Sequence, residues 1–267
     1  MFTIIYNQET FKPEITIKES SYTLYLTQLK NDSLVSVLYD GNINIYSLLE
    51  NSKYLLLQKI KAHSCRVRKF RAFDDDNRFL TCSDDCTIKF FLKEKKVYKE
   101  DYTFKDDFPI YNVFITREGE LVYSGNNSNG ISFIKFYDVE SRKVISSSKV
   151  KRLYIGHTDN LFKLCDTYLL VGAINAILIL HVYQHQQIRE IESINSVCIA
   201  SFLKLDKKCL LSVDCNGNIK QRIIDEDNLI LENVKNKAHE GQIRMIRINH
   251  EGLIITCSDD KSLKIWR

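Results

Sequence analysis

Short hydrophobic runs rich in Tyr, Phe, Ile, Val and Thr recur along the chain, and Asp, Asn, Gly and Ser residues separate them. The clearest early runs occupy residues 22–29, 34–39, 42–47, 54–60, 66–73, 79–83, 87–92 and 97–104. Such runs, bounded by turn-forming residues, are typical of β-strands. Helical periodicity is nearly absent, so the pattern predicts an all-β protein.

One apolar stretch, at 168–183, is longer than the other hydrophobic runs. It is still shorter than the roughly 20 residues that a membrane-spanning helix needs. Gly172 and Asn175 interrupt it. We therefore expect two buried strands joined by a turn.

An internal repeat gives the strongest signal in the sequence. Thr-Cys-Ser-Asp-Asp stands at 81–85 and again at 256–260, and Ala-His stands at 62–63 and at 238–239. The separation of the two copies fits about four units of about 40–45 residues. Weaker strand–turn–strand copies, including one that Gly156-His157 opens, lie between them.

The order Ala-His, strand, Ser-Asp-Asp turn and a strand ending in Trp or Phe resembles the WD40 repeat family. The resemblance covers essentially the whole chain. It implies an all-β propeller of four-stranded blades around a central channel. We predict six blades in a single domain, 1–267, and leave seven open. The predicted blades are 21–60, 61–104, 105–155, 156–192, 193–236 and 237–267.

The last predicted unit stops at Trp266-Arg267, directly after its third strand. Residues 1–20 precede the first unit and include segments of strand composition. We therefore predict that this N-terminal segment supplies the missing fourth strand of the last blade and closes the ring. Closure would remove the exposed sheet edges that invite aggregation.

The resemblance implies a buried structural tetrad of His, Ser, Asp and Trp in the strongest repeats. The corresponding residues are His239, Ser258, Asp260 and Trp266, and in the second unit His63, Ser83 and Asp85. In the expected chain the imidazole bonds to the aspartate and to the serine hydroxyl, which accepts from the indole. Phe91 stands at the Trp position of the second unit and has no donor. That blade should keep only part of the chain.

The Ser, His and Asp residues also raise the alternative of a hydrolase triad. Because the set occurs twice at repeat spacing and no Gly-x-Ser-x-Gly elbow is present, we favour the structural interpretation. No group of cysteines or histidines has a convincing metal-ligand spacing, and no phosphate-binding glycine motif appears. We predict no catalytic residue, no metal, no cofactor and no enzymatic activity.

In propellers of this family, the loops entering the first strand and the turns between the second and third strands share one face. Exposed residues on a rigid scaffold are favoured for binding. The resemblance places six candidate partner-binding residues on this face. They are Tyr39, Arg66, Asp84, Tyr111, Gln242 and Asp259.

Composition and charge narrow the partner classes. The net charge is only +4, which is weak for a dedicated nucleic-acid binder. The run 66–71 is more basic, and its simplest interpretation is a strand with solvated edges, with a phosphate-binding patch as the alternative. The N-terminus lacks a signal-peptide pattern, so we expect a cytoplasmic protein with eight free thiols.

These features predict a non-catalytic scaffold that docks a peptide or a protein subunit on the loop face, within a larger complex. Two alternatives stay open. One is an architectural subunit that binds through its blade edges. The other is a propeller that binds phosphate or nucleic acid through the basic strand. Membrane-spanning segments and small-molecule substrates are not expected.

Overall fold

The computed structural model describes residues 1–6, 12–49, 53–73, 75–127, 129, 131–150, 161–192, 198–225 and 228–267. These residues form 25 strands, β1 to β25, and no helix. The all-β prediction is confirmed. Among the described residues, no helix reaches the length and hydropathy of a membrane span.

The described residues form two compact units, and the first runs from Met1 to Ile115. It begins with a pair of antiparallel strands, β1 and β2, and continues with two four-stranded antiparallel sheets. The strands are β1 (Phe2–Tyr6), β2 (Pro13–Lys18), β3 (Thr23–Gln28), β4 (Leu34–Leu38), β5 (Asn42–Leu48), β6 (Tyr54–Lys61), β7 (Val67–Ala72), β8 (Arg78–Ser83), β9 (Thr87–Glu94), β10 (Val97–Lys105) and β11 (Ile110–Ile115).

The second unit runs from Thr116 to Arg267. Its strands are β12 (Leu121–Asn126), β13 (Ser132–Asp138), β14 (Lys143–Val150), β15 (Leu161–Lys163), β16 (Tyr168–Gly172), β17 (Ala176–His181), β18 (Gln186–Glu192), β19 (Ile199–Lys204), β20 (Cys209–Asp214), β21 (Ile219–Asp225), β22 (Asn228–Lys235), β23 (Ile243–Ile248), β24 (Ile254–Ser258) and β25 (Leu263–Trp266). The complete sheets of this unit are β15–β18, β19–β22 and the three-stranded β23–β25, and the unit also contains β12, β13 and β14 of the sheet β11–β14.

In the sheets β3–β6 and β11–β14, the second strand is far more buried than the fourth. Every residue of β4 and of β12 is buried, whereas Leu55, Leu56 and Leu57 of β6 are about half exposed. A strand that is covered on both faces reads as a continuous hydrophobic run, which explains the sequence of β4. The fourth strands β6 and β14 are mostly exposed instead.

Neighbouring sheets pack face to face within each unit. In the first unit, Val35 and Ile43 of one sheet meet Phe70 and Phe79 of the next. In the second unit the core residues Leu170, Ile177, Ile179, Ile199, Phe202 and Leu210 join β16, β17, β19 and β20. Each such side chain contributes about 1.5–3 kcal/mol when it is fully buried. Inter-sheet packing is therefore a main source of stability in both units.

The predicted ring closure involves the strands at the two ends of the chain. β1 pairs with β2, with Phe2 opposite Lys18, and the last sheet contains three described strands. Pairing of the N-terminal segment with the last sheet stays a prediction. So do the single-domain assignment and the blade limits. The predicted Gly156-His157 opening lies outside the described residues.

Two glycines lie in turns between the second and third strands of their sheets and contact the segment that leads into the next sheet. Gly41 has φ +84°, and a Cβ there would lie 2.3 Å from the carbonyl oxygen of His63. Gly217 has φ +78°, and a Cβ there would lie 2.0 Å from the carbonyl oxygen of His239. The amides of His63 and His239 donate to the carbonyl oxygens of these glycines, at 3.1 and 3.0 Å. The glycines thus let the turn touch the segment that carries the histidine.

This close approach can be tested by comparing two glycines with the same backbone conformation. Gly119 has φ +87°, but a Cβ there would meet nothing within 4 Å. Gly119→Ala should lower the free energy of unfolding by about 1–2 kcal/mol, which is the cost of the left-handed conformation. Gly41→Ala should cost clearly more in urea denaturation, because it adds the steric conflict with His63. Equal losses would show that the contact at Gly41 is unimportant.

Candidate functional site

The last sheet contains a directional chain of buried hydrogen bonds. Nε1 of Trp266 donates to Oγ1 of Thr256 at 2.9 Å, and that hydroxyl pairs with Nε2 of His239 at 2.7 Å. Nδ1 of His239 pairs with Oδ2 of Asp260 at 2.8 Å. Because the carboxylate can only accept, Nδ1 carries the ring proton and Nε2 accepts from Thr256. Ser262 adds a 2.6 Å hydrogen bond to Oδ1 of Asp260.

The second sheet contains the same chain of hydrogen bonds, but it lacks the indole donor. Nδ1 of His63 lies 2.9 Å from Oδ2 of Asp85, and Nε2 lies 2.8 Å from Oγ1 of Thr81. Thr87 donates to Oδ1 of Asp85 at 2.6 Å. Phe91 occupies the Trp position and stacks on Phe79, with ring centroids 4.7 Å apart. An aromatic cluster here takes the place of the hydrogen bond that an indole would give.

The structure corrects the serines that the sequence assigned to the tetrad. Thr256 and Thr81 supply the hydroxyl, whereas Ser258 and Ser83 lie two residues farther, where the strand ends. Each serine oxygen accepts the backbone amide of the turn aspartate, at 3.2 Å for Ser258 and 3.1 Å for Ser83. The imidazole reaches into the sheet rather than along its edge, so it meets the earlier side chain on the same face.

The first sheet has an analogous chain that the sequence analysis missed. Glu19 is buried, and its carboxylate accepts hydrogen bonds from Ser36 at 2.6 Å, Asn44 at 2.7 Å and Tyr46 at 2.9 Å. Burial raises the pKa of Tyr46 to about 12, and the hydrogen bond to Glu19 adds to the effect. A buried carboxylate held by neutral donors thus replaces the imidazole.

Spacing could have revealed this substitution. Glu19 precedes the turn residue Asp40 by the same interval that separates His239 from Asp260. Ser36 and Tyr46 stand at the positions of Thr256 and Trp266, because Leu34 pairs with Tyr46 as Ile254 pairs with Trp266. The signal was hidden because neither Glu nor Tyr belongs to the motif.

Hydrogen bonds hold the two turn aspartates ionised. Burial raises the pKa of Asp85, but hydrogen bonds from His63 and Thr87 outweigh it and keep the pKa well below its usual range. At Asp260 the hydrogen bond from Ser262 has the largest effect, and the pKa is again well below its usual range. Both carboxylates therefore favour the folded state at neutral pH.

A cluster of charged and aromatic side chains lies where β7 enters the second sheet. Nε of Arg66 and Nε of Arg68 both donate to the carboxylate of Asp84, the latter at 2.6 Å. The guanidinium of Arg66 lies 5.8 Å from the ring centroid of Tyr39, and that of Arg68 lies 4.6 Å from that of Tyr111. We call these five residues the Arg66 cluster. Four of the predicted partner-binding residues thus lie together.

The cluster occupies a position that recurs in other sheets. The amide of Asp84 donates to the carbonyl of Arg66 at 3.3 Å, and the amide of Tyr39 donates to that of Tyr22 at 2.8 Å. In the last sheet the amide of Asp259 donates to the carbonyl of Gln242 at 3.0 Å. Backbone geometry therefore makes these residue pairs equivalent.

The last sheet carries the other two predicted partner-binding residues. Asp259 forms a two-pronged ion pair with Arg244, at 2.5 and 2.7 Å, and both side chains are nearly half exposed. The amide group of Gln242 donates to Sγ of Cys215 at 3.3 Å.

The basic strand 66–71 does not have the solvated edges that the sequence indicated. Lys69 is fully buried, with Nζ 4.7 Å from the ring centroid of Tyr25, and Arg68 is 7% exposed. Nε of Arg71 donates to the carbonyl of Val113 at 3.3 Å. Strand alternation puts Arg66 and Arg68 on one side and Lys69 and Arg71 on the other. Arg68, Lys69 and Arg71 therefore contact other residues of the first unit.

The described part of the chain gives little support to a metal site or to a hydrolase triad. No group of three or more His, Cys, Asp or Glu side chains there is placed to hold a metal ion. The hydrolase arrangement also fails geometrically, because Nε2 of His63 pairs with Thr81, whereas Oγ of Ser83 donates to the carbonyl of Arg66 at 2.9 Å. None of the eight cysteines, all within the described residues, forms a disulfide.

The corrected tetrad can be tested with near-isosteric variants. Thr256→Val would leave the buried groups of His239 and Trp266 without their partner, at about 1–3 kcal/mol each. Ser258→Ala would remove only an acceptor for a turn amide, at about 1 kcal/mol. We expect Thr256→Val to lower the free energy of unfolding by more in urea denaturation. A larger loss in Ser258→Ala would restore the serine assignment.

The ionised aspartates should make stability depend on pH. Their folded-state pKa values lie below the unfolded value of about 3.9, so their contribution is present above about pH 4 and is lost as the pH falls below it. The double variant Asp85→Asn/Asp260→Asn should flatten the decrease in unfolding free energy between about pH 4 and pH 3. Asp101→Asn, an exposed aspartate of β10, is the control. An unchanged slope in the double variant would contradict this account.

Comparisons with known proteins agree with this arrangement of sheets and histidine hydrogen bonds. The family model "WD domain, G-beta repeat" matches residues 55–91 and 232–267, which contain the two histidine chains. No curated protein matches the chain. A chain of the solved structure "Crystal Structure of Mitotic Checkpoint Complex" has a TM-score of 0.79 at 14% identity, over 100% of this chain and 83% of that one. The six sheets and this likeness identify the chain as a six-bladed β-propeller, and two of its segments match the WD40 repeat.

Proposed function

We propose that this propeller is a non-catalytic scaffold that docks a peptide or protein subunit on the face carrying the Arg66 cluster. WD40 propellers typically act as interaction scaffolds, and the structural neighbour is a chain of a complex. Fold alone does not decide function, so the proposal depends on the site. A role within a larger complex and a cytoplasmic location stay predictions.

The observation that carries the proposal is the composition of the Arg66 cluster. Two guanidinium groups share the single carboxylate of Asp84, which leaves a local excess of positive charge. Tyr39 is 50% exposed beside Arg66. Arg and Tyr are enriched among the residues that dominate binding energy at protein interfaces. A partner segment with an acidic residue would complement this surface.

Part of the Arg66 cluster is held in place before a partner binds. Arg68 is held between Asp84 and the ring of Tyr111, so its side chain loses little freedom when a partner binds. Burial raises the pKa of Tyr111, so its phenol stays protonated and neutral at physiological pH. The cluster therefore offers fixed rings and fixed donors.

One observation favours the architectural alternative. Leu55, Leu56 and Leu57 of the outer strand β6 are 53%, 48% and 52% exposed. A row of exposed leucines on an outer strand is a plausible contact for another subunit. The basic strand gives less support to phosphate binding, because its cations are engaged inside the first unit.

Affinity capture with paired variants distinguishes these functions. Tyr39→Ala/Arg66→Ala removes the exposed part of the cluster but keeps Asp84. Tyr183→Ala/Arg78→Ala is the matched control, since Tyr183 is also 50% exposed and Arg78 is an exposed arginine. We expect a protein partner captured by the wild type and by the control to be reduced at least tenfold with the cluster variant, which corresponds to about 1.4 kcal/mol.

The opposite pattern would overturn the docking face. If the cluster variant keeps the partner and Leu55→Ser/Leu57→Ser loses it, binding occurs through the outer strand. All variants must show the wild-type unfolding transition before the comparison is made. Retention of the partner by every variant would also contradict docking at the Arg66 cluster.

A further inference from the structure

Two cysteines face each other at the start of the fifth sheet. Ile199 pairs with Asp214 in the β19–β20 ladder, so the preceding Cys198 stands opposite Cys215. The amide of Cys215 donates to the carbonyl of Cys198 at 3.0 Å. Opposed residues on antiparallel strands have Cα atoms about 4.5–5.5 Å apart, which lies inside the range that a disulfide requires.

The equivalent positions of another sheet show that side chains here can meet. Cys198 and Cys215 carry the same backbone hydrogen bond as Arg66 and Asp84, whose side chains form an ion pair. Both cysteines are partly exposed rather than sealed in the core. The pair is thus open to a small oxidant.

We propose that Cys198 and Cys215 are a redox-modification site that forms a reversible disulfide when it is exposed to a hydroperoxide. This inference goes beyond the docking function and does not depend on it. No other cysteine pair in the described residues stands at directly opposed positions of neighbouring strands.

The contacts assign different roles to the two sulfurs. Sγ of Cys215 accepts a hydrogen bond from the side-chain amide of Gln242 at 3.3 Å. This contact positions the sulfur of Cys215, so Cys215 is assigned as the nucleophile and Cys198 as the resolving thiol. Burial, followed by the neighbouring Cys215, raises the pKa of the Cys198 thiol, in keeping with the resolving role.

The disulfide forms in two steps. The thiol of Cys215 gives up its proton and its sulfur attacks one oxygen of the hydroperoxide. The O–O bond breaks, the departing alkoxide takes up the proton, and a sulfenic acid and an alcohol form. The sulfur of Cys198 then attacks the sulfenic sulfur. The S–S bond forms, the S–O bond breaks, and the departing hydroxide takes the Cys198 proton as water. Two thiols are oxidised and one hydroperoxide is reduced to an alcohol and water.

The position of the pair links it to the candidate docking residues. Gln242 is one of the residues that the sequence predicted for partner binding, and its amide rests on the sulfur of Cys215. A disulfide would join the entry of β19 to the turn after β20 and would change the group on which Gln242 rests. Oxidation would therefore alter the surface at Gln242 directly.

Mass spectrometry of the full-length protein tests the proposal. The protein is treated with hydrogen peroxide, its remaining thiols are alkylated, and it is digested without reduction. We expect a crosslinked peptide joining Cys198 to Cys215 and alkylation of two fewer thiols than in the untreated sample. Dithiothreitol should reverse both changes. Cys198→Ser and Cys215→Ser should each abolish the crosslink.

Cys165→Ser is the control, because Cys165 is exposed and should be oxidised without contributing to the crosslink. The assigned roles make a further distinction. Cys198→Ser should accumulate a sulfenic acid at residue 215 that dimedone traps, whereas Cys215→Ser should show little trapping at residue 198. The proposal fails if the exposed cysteines oxidise while no crosslink joins Cys198 to Cys215 in the folded wild type. Equal trapping in both serine variants would overturn the assigned roles.

Discussion

A buried imidazole must be hydrogen-bonded at both ring nitrogens, and this requirement organises the second and last sheets. His63 and His239 are almost completely buried, and each lies between a turn aspartate and a strand threonine. Leaving either nitrogen unpaired would cost about 1–3 kcal/mol. The segment before the first strand, the middle strand and the turn are therefore held in one geometry. The Arg66 cluster is built on that frame.

The six sheets meet the same structural demand with different chemistry. The residue opposite the start of the second strand is Trp266 in the last sheet, and its indole closes the chain. In the other sheets, the residue opposite the first or second residue of the second strand is Tyr46, Phe91, Tyr137, Leu180 or Arg222. All five are buried. A large side chain is thus the common requirement, whereas a hydrogen-bond donor is specific to individual sheets.

The sequence predicted the features that local chemistry determines. Strands and turns followed from residue type and spacing, and the histidine–aspartate pairs followed from the resemblance to the WD40 repeat. The choice of Thr256 over Ser258 did not, because both hydroxyls lie on one face of the strand and only the depth of the imidazole separates them. Glu19 was missed because a buried carboxylate replaces the expected ring. The buried cations of β7 were missed because their partners, such as Tyr25 and Val113, come from distant segments.

Conservation of backbone geometry with variation of side chains explains how one edge can serve different purposes. The same amide-to-carbonyl hydrogen bond positions Tyr39 beside Tyr22, Asp84 beside Arg66, and Cys215 beside Cys198. Because the backbone alone fixes this approach, the side chains are free to differ. One pair presents aromatic surface, another charge, and the third a redox-active thiol couple. Recognition and modification are therefore separable properties of a single repeated position.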